Sequence, residues 1–171
     1  SPLQWWGDAQ QAILKANATG KDNPKDIAAI GIAYQMHGLV AVDAEQHVLR
    51  NSIIWSDSRA VEIGNKAFDS IGHKKSLSHL LNSPGNFTAS KLAWVKANEP
   101  QLYERIAHIM LPGDYINMKL TGEINTSVSA LSEGVFWDFK NQNLSVDVLN
   151  YFGFDRSLIP EIQEVFTSHG Q

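Results

Sequence analysis

Apolar positions recur along the chain with changing periods, and each change marks a boundary between elements. Leu3, Trp6, Ile13 and Leu14 fall near helical spacing, and Ser1 followed by Pro2 supplies a cap and then the one helical position that accepts proline. A helix is therefore predicted to start almost at residue 1. Residues 19–26 are polar and turn-rich, with Gly20, Asn23 and Pro24, and end it. Residues 27–34 (IAAIGIAY) form a continuous apolar run with β-branched isoleucines, the pattern of a short strand buried on both faces. Residues 39–43 and 47–50, on either side of a polar turn at 44–46, predict a hairpin, with 53–55 continuing in extended form.

Helical periodicity returns from Asp57 onward, where Ala60, Ile63, Ala67, Phe68 and Ile71 line one face and Gly72 can stop the helix in a left-handed conformation. A second helical piece is predicted over 74–81, then a turn at 82–85, then a helix capped by Thr88 that carries Leu92, Trp94 and Val95. Pro100 starts a short helix reaching Ile106. Residues 108–111 form another buried strand closed by Pro112, and residues 113–120 a helix stopped by Gly122. Residues 135–139 alternate like a strand, and 146–152 form a helix ended by Gly153. Mixed strands and helices in this order place the chain in the α/β class.

Composition narrows the functions that such a fold could carry. The 171 residues are 43% hydrophobic and 19% charged, which excludes disorder, and a prior of roughly 150 residues per domain predicts a single domain over 1–171. The net charge is -4 with no run of basic residues, so no nucleic-acid or membrane partner is expected. No apolar stretch approaches the roughly 18 residues of a membrane span. There is no cysteine, hence no disulfide and no thiolate metal ligand, and the expected compartment is the cytoplasm. The sequence lacks the phosphate-loop, dinucleotide-turn, zinc-protease and nucleophile-elbow motifs. His73 and His79 are six apart rather than four, so no metal site is expected from this chain.

Two polar clusters remain. Gln35, Met36, His37 and Gly38 follow the apolar run at 27–34, and ligands of open α/β sheets bind beyond the carboxyl ends of strands. The same residues also fit a hydrogen-bonded turn whose glycine supplies backbone freedom. Trp55, Ser56, Asp57, Ser58 and Arg59 form the second cluster. A tryptophan can stack on the apolar face of a sugar while carboxylate and guanidinium groups bind hydroxyls, but Asp57 could equally cap a helix with Arg59 as its partner.

Together the clusters resemble a family. The segments YQMHGLV at 34–40, VLRNSIIWSDSR at 48–59, NFTASKLAWV at 86–95 and LPGDYINMKLTGE at 111–123 are similar, in order, to the first domain of FGGY-family carbohydrate kinases, and the xylulose-phosphorylating members match best. The likeness runs from Gln4 to Pro160. It implies a ribonuclease-H-like, actin-like fold and a parent enzyme that phosphorylates D-xylulose to D-xylulose 5-phosphate with ATP and Mg²⁺. It also implies that Met36 and His37 contact the sugar; glycerol-phosphorylating relatives hold an Arg-Glu pair there, so Met-His favours a ketopentose. Trp55 would line the pocket, with Gln35 and Asp57 beside it, Asp57 and Arg59 mainly ordering the wall.

Family members carry an Asp-x-Gly-Thr turn on leading strands, and a C-terminal domain with the catalytic base and the ATP site. Neither is present in these 171 residues, so the resemblance implies no catalytic residue and no bound cofactor here. The segment alone is expected to be inactive, with the C-terminal domain as its partner. An uncovered strand at 27–34 would further invite self-association. Another FGGY sugar or polyol kinase, or a non-catalytic sugar-binding module, is the alternative expectation.

Overall fold

The computed structural model describes residues 1–20 and 23–171; Lys21 and Asp22, inside the predicted turn at 19–26, lie outside the described residues. Helix α1 (Pro2–Ala18) begins where the Ser1-Pro2 signal places it. After a short 3₁₀ turn (Pro24–Asp26), capped by the Asn23 side chain, the chain runs without regular structure through residues 27–35.

This is the main departure from the sequence pattern. Residues 27–34 form no strand, and Ile27 and Ile30 are 55% and 63% exposed. A strand exists only through its ladder, and none of the described segments pairs with this run. Its apolar residues instead border α1, forming with Trp5, Trp6 and Ile116 a shallow cavity of about 450 Å³.

The hairpin forms as predicted. Strand β1 (Val40–Val42) is fully buried, Val42 bridges Val48, and Leu39 bridges Ile53. Strand β2 (His108–Met110) pairs antiparallel with β1, Val40 opposite Met110 and Val42 opposite His108. Helix α2 (Val61–Ile71) starts four residues later than the periodicity suggests. Asp57 accepts the Arg59 backbone N–H at 3.1 Å, and this local turn competes with the helix until Val61. Gly72 ends α2 at φ 98°, and α3 (His73–His79) follows at once.

Helix α4 (Thr88–Asn98) is buried along most of its length, and α5 (Pro100–Tyr103) continues it after one residue. Thr88 is the first helical residue of α4 rather than its cap, and its hydroxyl reaches across to the Gly38 carbonyl at 3.5 Å. Helix α6 (Pro112–Thr121) ends at Gly122 in the left-handed region.

Several elements lie beyond the sequence reading. Strand β3 (Asn125–Ser127) pairs in parallel with β6 (Glu161–Gln163), and α7 (Val128–Glu133) follows β3 directly. The alternating stretch 135–139 contributes only β4 (Trp137–Asp138), which pairs with β5 (Asn143–Leu144); α8 (Val146–Phe152) ends at a left-handed Gly153.

The main core gathers Leu39, Ile53, Leu92, Val95, Ile109, Phe136 and Val148 from these elements. Val40, Val42, Met110, Tyr115 and Met118 form a second cluster on the other side of β1 and β2, against Trp5 and Trp6 of α1. Both faces of β1 are thereby buried. The polar cluster at 35–38 enters this rigid strand, and α4 and the end of α7 lie behind it.

Candidate functional site

His37 sits at the entry to β1 with φ 59°, a left-handed conformation uncommon for a residue bearing a side chain. Three contacts hold it. The imidazole Nδ1 lies 3.0 Å from the Glu133 carbonyl oxygen at the end of α7, and since a carbonyl only accepts, Nδ1 carries the proton. The ring meets Phe87 edge-on, with centroids 4.2 Å apart at 68°. Behind the loop, the Lys91 Nζ donates to the His37 carbonyl at 2.7 Å. Among the described residues these contacts leave Nε2 as the ring nitrogen without a hydrogen-bond partner. In the neutral ring it is an acceptor.

Gly38 follows at a close approach. A Cβ there would lie 2.5 Å from Cγ of Pro112, so the residue after His37 must lack one for β1 to pack against the start of α6.

Met36 is 53% exposed and Trp55 58% exposed. The structure brings their two segments together: Gln35 Oε1 accepts the Trp55 backbone N–H at 3.4 Å. Asn86 donates to the Trp55 carbonyl at 3.4 Å and to the Asp57 carbonyl at 2.6 Å. Gln35 through Oε1 and Asn86 through Nδ2 therefore act on the position of Trp55.

Asp57 turns toward Arg59. The guanidinium Nη2 lies 2.7 Å from Oδ2 and Nε 2.9 Å from Oδ1, and the Arg59 Cζ stands 4.6 Å above the Trp94 ring. The Arg59 side chain holds the Asp57 carboxyl below the usual carboxylate range. Their charges largely satisfy each other.

Within the segment 86–95 the sequence marks no residue as part of the site. Asn86, Phe87, Thr88 and Lys91 all contact the two candidate loops. Lys91 is fully buried, and burial pushes its ammonium down to about 8, opposed by the Asp57 carboxylate. A lysine in a motif carries no sign of burial in the sequence, since lysine is almost never fully buried. Glu133 was likewise unmarked; its Oε2, 3.4 Å from the same His37 nitrogen, has no hydrogen-bond partner.

One group among the described residues, Asp43, Glu45 and His47 at the hairpin turn, brings three metal-ligand atoms together. Asp43 Oδ1 accepts the backbone N–H groups of Glu45 and His47 at 3.1 and 2.8 Å, so the cluster caps its own turn. Asp57 is taken up by Arg59. No helix among the described residues is long and apolar enough to cross a membrane.

An exposed tryptophan and an oriented histidine on two joined loops are shared by many folds, and comparison with known proteins decides among them. The sequence profile of the FGGY family of carbohydrate kinases, N-terminal domain, matches residues 1–171. The chain belongs to this family. Xylulose kinase of Escherichia coli strain K12 is 32% identical over 164 residues, covering 95% of this chain and 33% of that protein. Xylulose kinase of Bacillus subtilis strain 168 is 31% identical over 169 residues, covering 96% of this chain and 33% of that protein.

Among solved structures, a xyloylose kinase from Brucella ovis aligns with a TM-score of 0.91 at 30% identity, over 99% of this chain and 35% of that one. Xylulose kinase from Rhodospirillum rubrum aligns at 0.82 with 28% identity, over 99% of this chain and 35% of that one. The FGGY chain thus has the mixed α/β, actin-like fold expected from its motifs, and it spans about a third of the length of the relatives it matches.

Proposed function

We propose that this FGGY chain is the sugar-binding part of a kinase that transfers the γ-phosphoryl group of ATP to the 5-hydroxyl of D-xylulose. The products are D-xylulose 5-phosphate, ADP and a proton. In this reading the 171 residues make up most of one domain, and the remainder of the protein holds ATP, Mg²⁺ and the catalytic base.

The single observation that carries the reading is His37, oriented by Glu133 and Phe87 in the segment that carries the exposed Met36 and that Gln35 joins to the segment of the exposed Trp55. Nε2 accepts a hydrogen bond from a sugar hydroxyl. The indole of Trp55 packs on a C–H face of the sugar, an arrangement suited to a ligand apolar on one side and polar on its rim. Met36 supplies a soft apolar contact with no fixed hydrogen-bond demand. Phosphoryl transfer depends on holding the acceptor hydroxyl in line, and these residues do the holding.

Kinetics of the full-length protein test the assignment. His37→Ala removes one hydrogen bond to the sugar, worth about 1.4 kcal/mol or tenfold, so the sugar KM should rise at least about tenfold while the ATP KM stays within about twofold. Small, equal changes in both would refute it.

A further inference from the structure

We infer that Lys91 is a positioning residue for the sugar: through its hydrogen bond to the His37 carbonyl it fixes the left-handed turn that aims the His37 ring. The inference rests on the sugar-binding reading of His37 and goes one layer behind it.

A fully buried lysine is a costly feature that needs a reason. Lys91 lies on α4, whose residues touch both candidate loops: Thr88 and Lys91 reach the first, and Trp94 meets Arg59 of the second. The Lys91 Nζ lies 2.7 Å from the His37 carbonyl, and its charge acts on Asp57 in the second loop. One buried cation is therefore shared by the segment carrying Met36 and His37 and by the segment carrying Trp55 and Asp57. A hydrophobic residue at the same place would fill the space and avoid the desolvation cost, so packing alone does not account for a lysine.

What the lysine adds is a donor aimed at one carbonyl. That carbonyl belongs to a residue at φ 59°, a conformation that side-chain-bearing residues adopt only when their surroundings hold it. The neighbouring carbonyl, that of Gly38, is met more loosely by the Thr88 hydroxyl at 3.5 Å. Without the Lys91 bond, the turn can relax toward an ordinary negative φ, and the imidazole leaves the Glu133 carbonyl and the edge of Phe87. Burial holds the Lys91 ammonium down at about 8, and its charged and uncharged forms both donate.

The test is a double-mutant cycle on the full-length kinase with D-xylulose and ATP, using Lys91→Met, His37→Ala and the double variant. Lys91→Gln is made in parallel as the milder change, and urea unfolding is measured for each. Lys91→Met or Lys91→Gln should raise the sugar KM about tenfold, leave the ATP KM within about twofold, and keep the unfolding midpoint near that of the parent. In the His37→Ala background the same substitution should change the sugar KM by less than about twofold, because the ring it aims is gone.

A structural role would instead lower the unfolding midpoint and affect both backgrounds alike. Additive effects, or an unchanged sugar KM in both Lys91 variants, would overturn the inference while leaving the His37 assignment intact. An unchanged sugar KM in His37→Ala itself would overturn both.

Discussion

The carboxylate of Asp57 meets the guanidinium of Arg59 edge to edge, with contacts of 2.7 and 2.9 Å, while the other face of Arg59 lies over Trp94. The pair pins the start of α2 to α4 and holds the loop that presents Trp55. Its partners are part-exposed, at 38% for Arg59 and 26% for Asp57, so solvent screening keeps its worth small.

Arg59→Met should destabilise the chain by about 1 kcal/mol at pH 7, combining a screened ion pair with a cation–π contact. The sign of the pH effect follows from Asp57. A carboxyl held low by Arg59 contributes stability above the ordinary carboxylate value, and that contribution disappears as pH falls through the lowered one. Urea unfolding at pH 7 and at pH 3 should therefore show a gap between parent and variant that narrows in acid. A gap of constant size would mean that stacking on Trp94 is the whole effect.

Asp114 presents the opposite case. It is buried beneath the start of α6, where its Oδ2 accepts the Leu111 N–H at 3.2 Å and the Thr126 hydroxyl at 2.9 Å. Burial raises its carboxyl to about 6, against the pull of these two hydrogen bonds and of His169. The folded state thus holds a proton that the unfolded state releases between about pH 4 and 6, and the native state loses stability as pH rises through that window. Asp114→Asn cannot ionise, so the stability of the parent relative to this variant should fall from pH 4 to pH 7. Urea midpoints at both values check it; a difference that grows with pH would reverse the account.

Gly64 and Gly7 both lie inside helices, yet their surroundings differ. A Cβ on Gly64 would overlap the Gly85 carbonyl where α2 crosses the turn before α4, whereas one on Gly7 in α1 meets nothing within 4 Å. Gly64→Ala should cost about 3 kcal/mol, since a backbone cannot swing aside as a side chain can. Gly7→Ala should be neutral or stabilising by up to about 1 kcal/mol, because only helix propensity changes. Thermal unfolding of the two variants separates the effects, and similar shifts in both would contradict the packing argument.

Features fixed by a few neighbouring residues were legible in the sequence. The Ser1-Pro2 start of α1, the Gly122 stop of α6 and the Gly153 stop of α8 depend on local backbone chemistry, and each stands where the residues place it. The run at 27–34 misled because an apolar pattern states a demand for burial without saying what fulfils it. Strands β3 and β6 escaped notice because three residues each, Asn-Thr-Ser and Glu-Ile-Gln, show no period. For the candidate site, the residues that face outward, Met36, His37 and Trp55, could be picked out by resemblance. Lys91, Asn86 and Glu133, which face those residues from behind, could not, since buried polar roles depend on contacts across 29 to 96 positions of sequence.

We propose that this chain selects a ketopentose for ATP-dependent phosphorylation by its full-length protein. The most direct measurement is ADP release by that protein with D-xylulose and, separately, with glycerol, at equal concentrations with Mg²⁺ and ATP. The account predicts turnover with D-xylulose at a kcat/KM at least about a hundredfold above that for glycerol, the size expected when a site's polar groups fit one substrate and not the other. Glycerol turnover equal to or above that of D-xylulose, or no sugar-dependent ADP release, would contradict it.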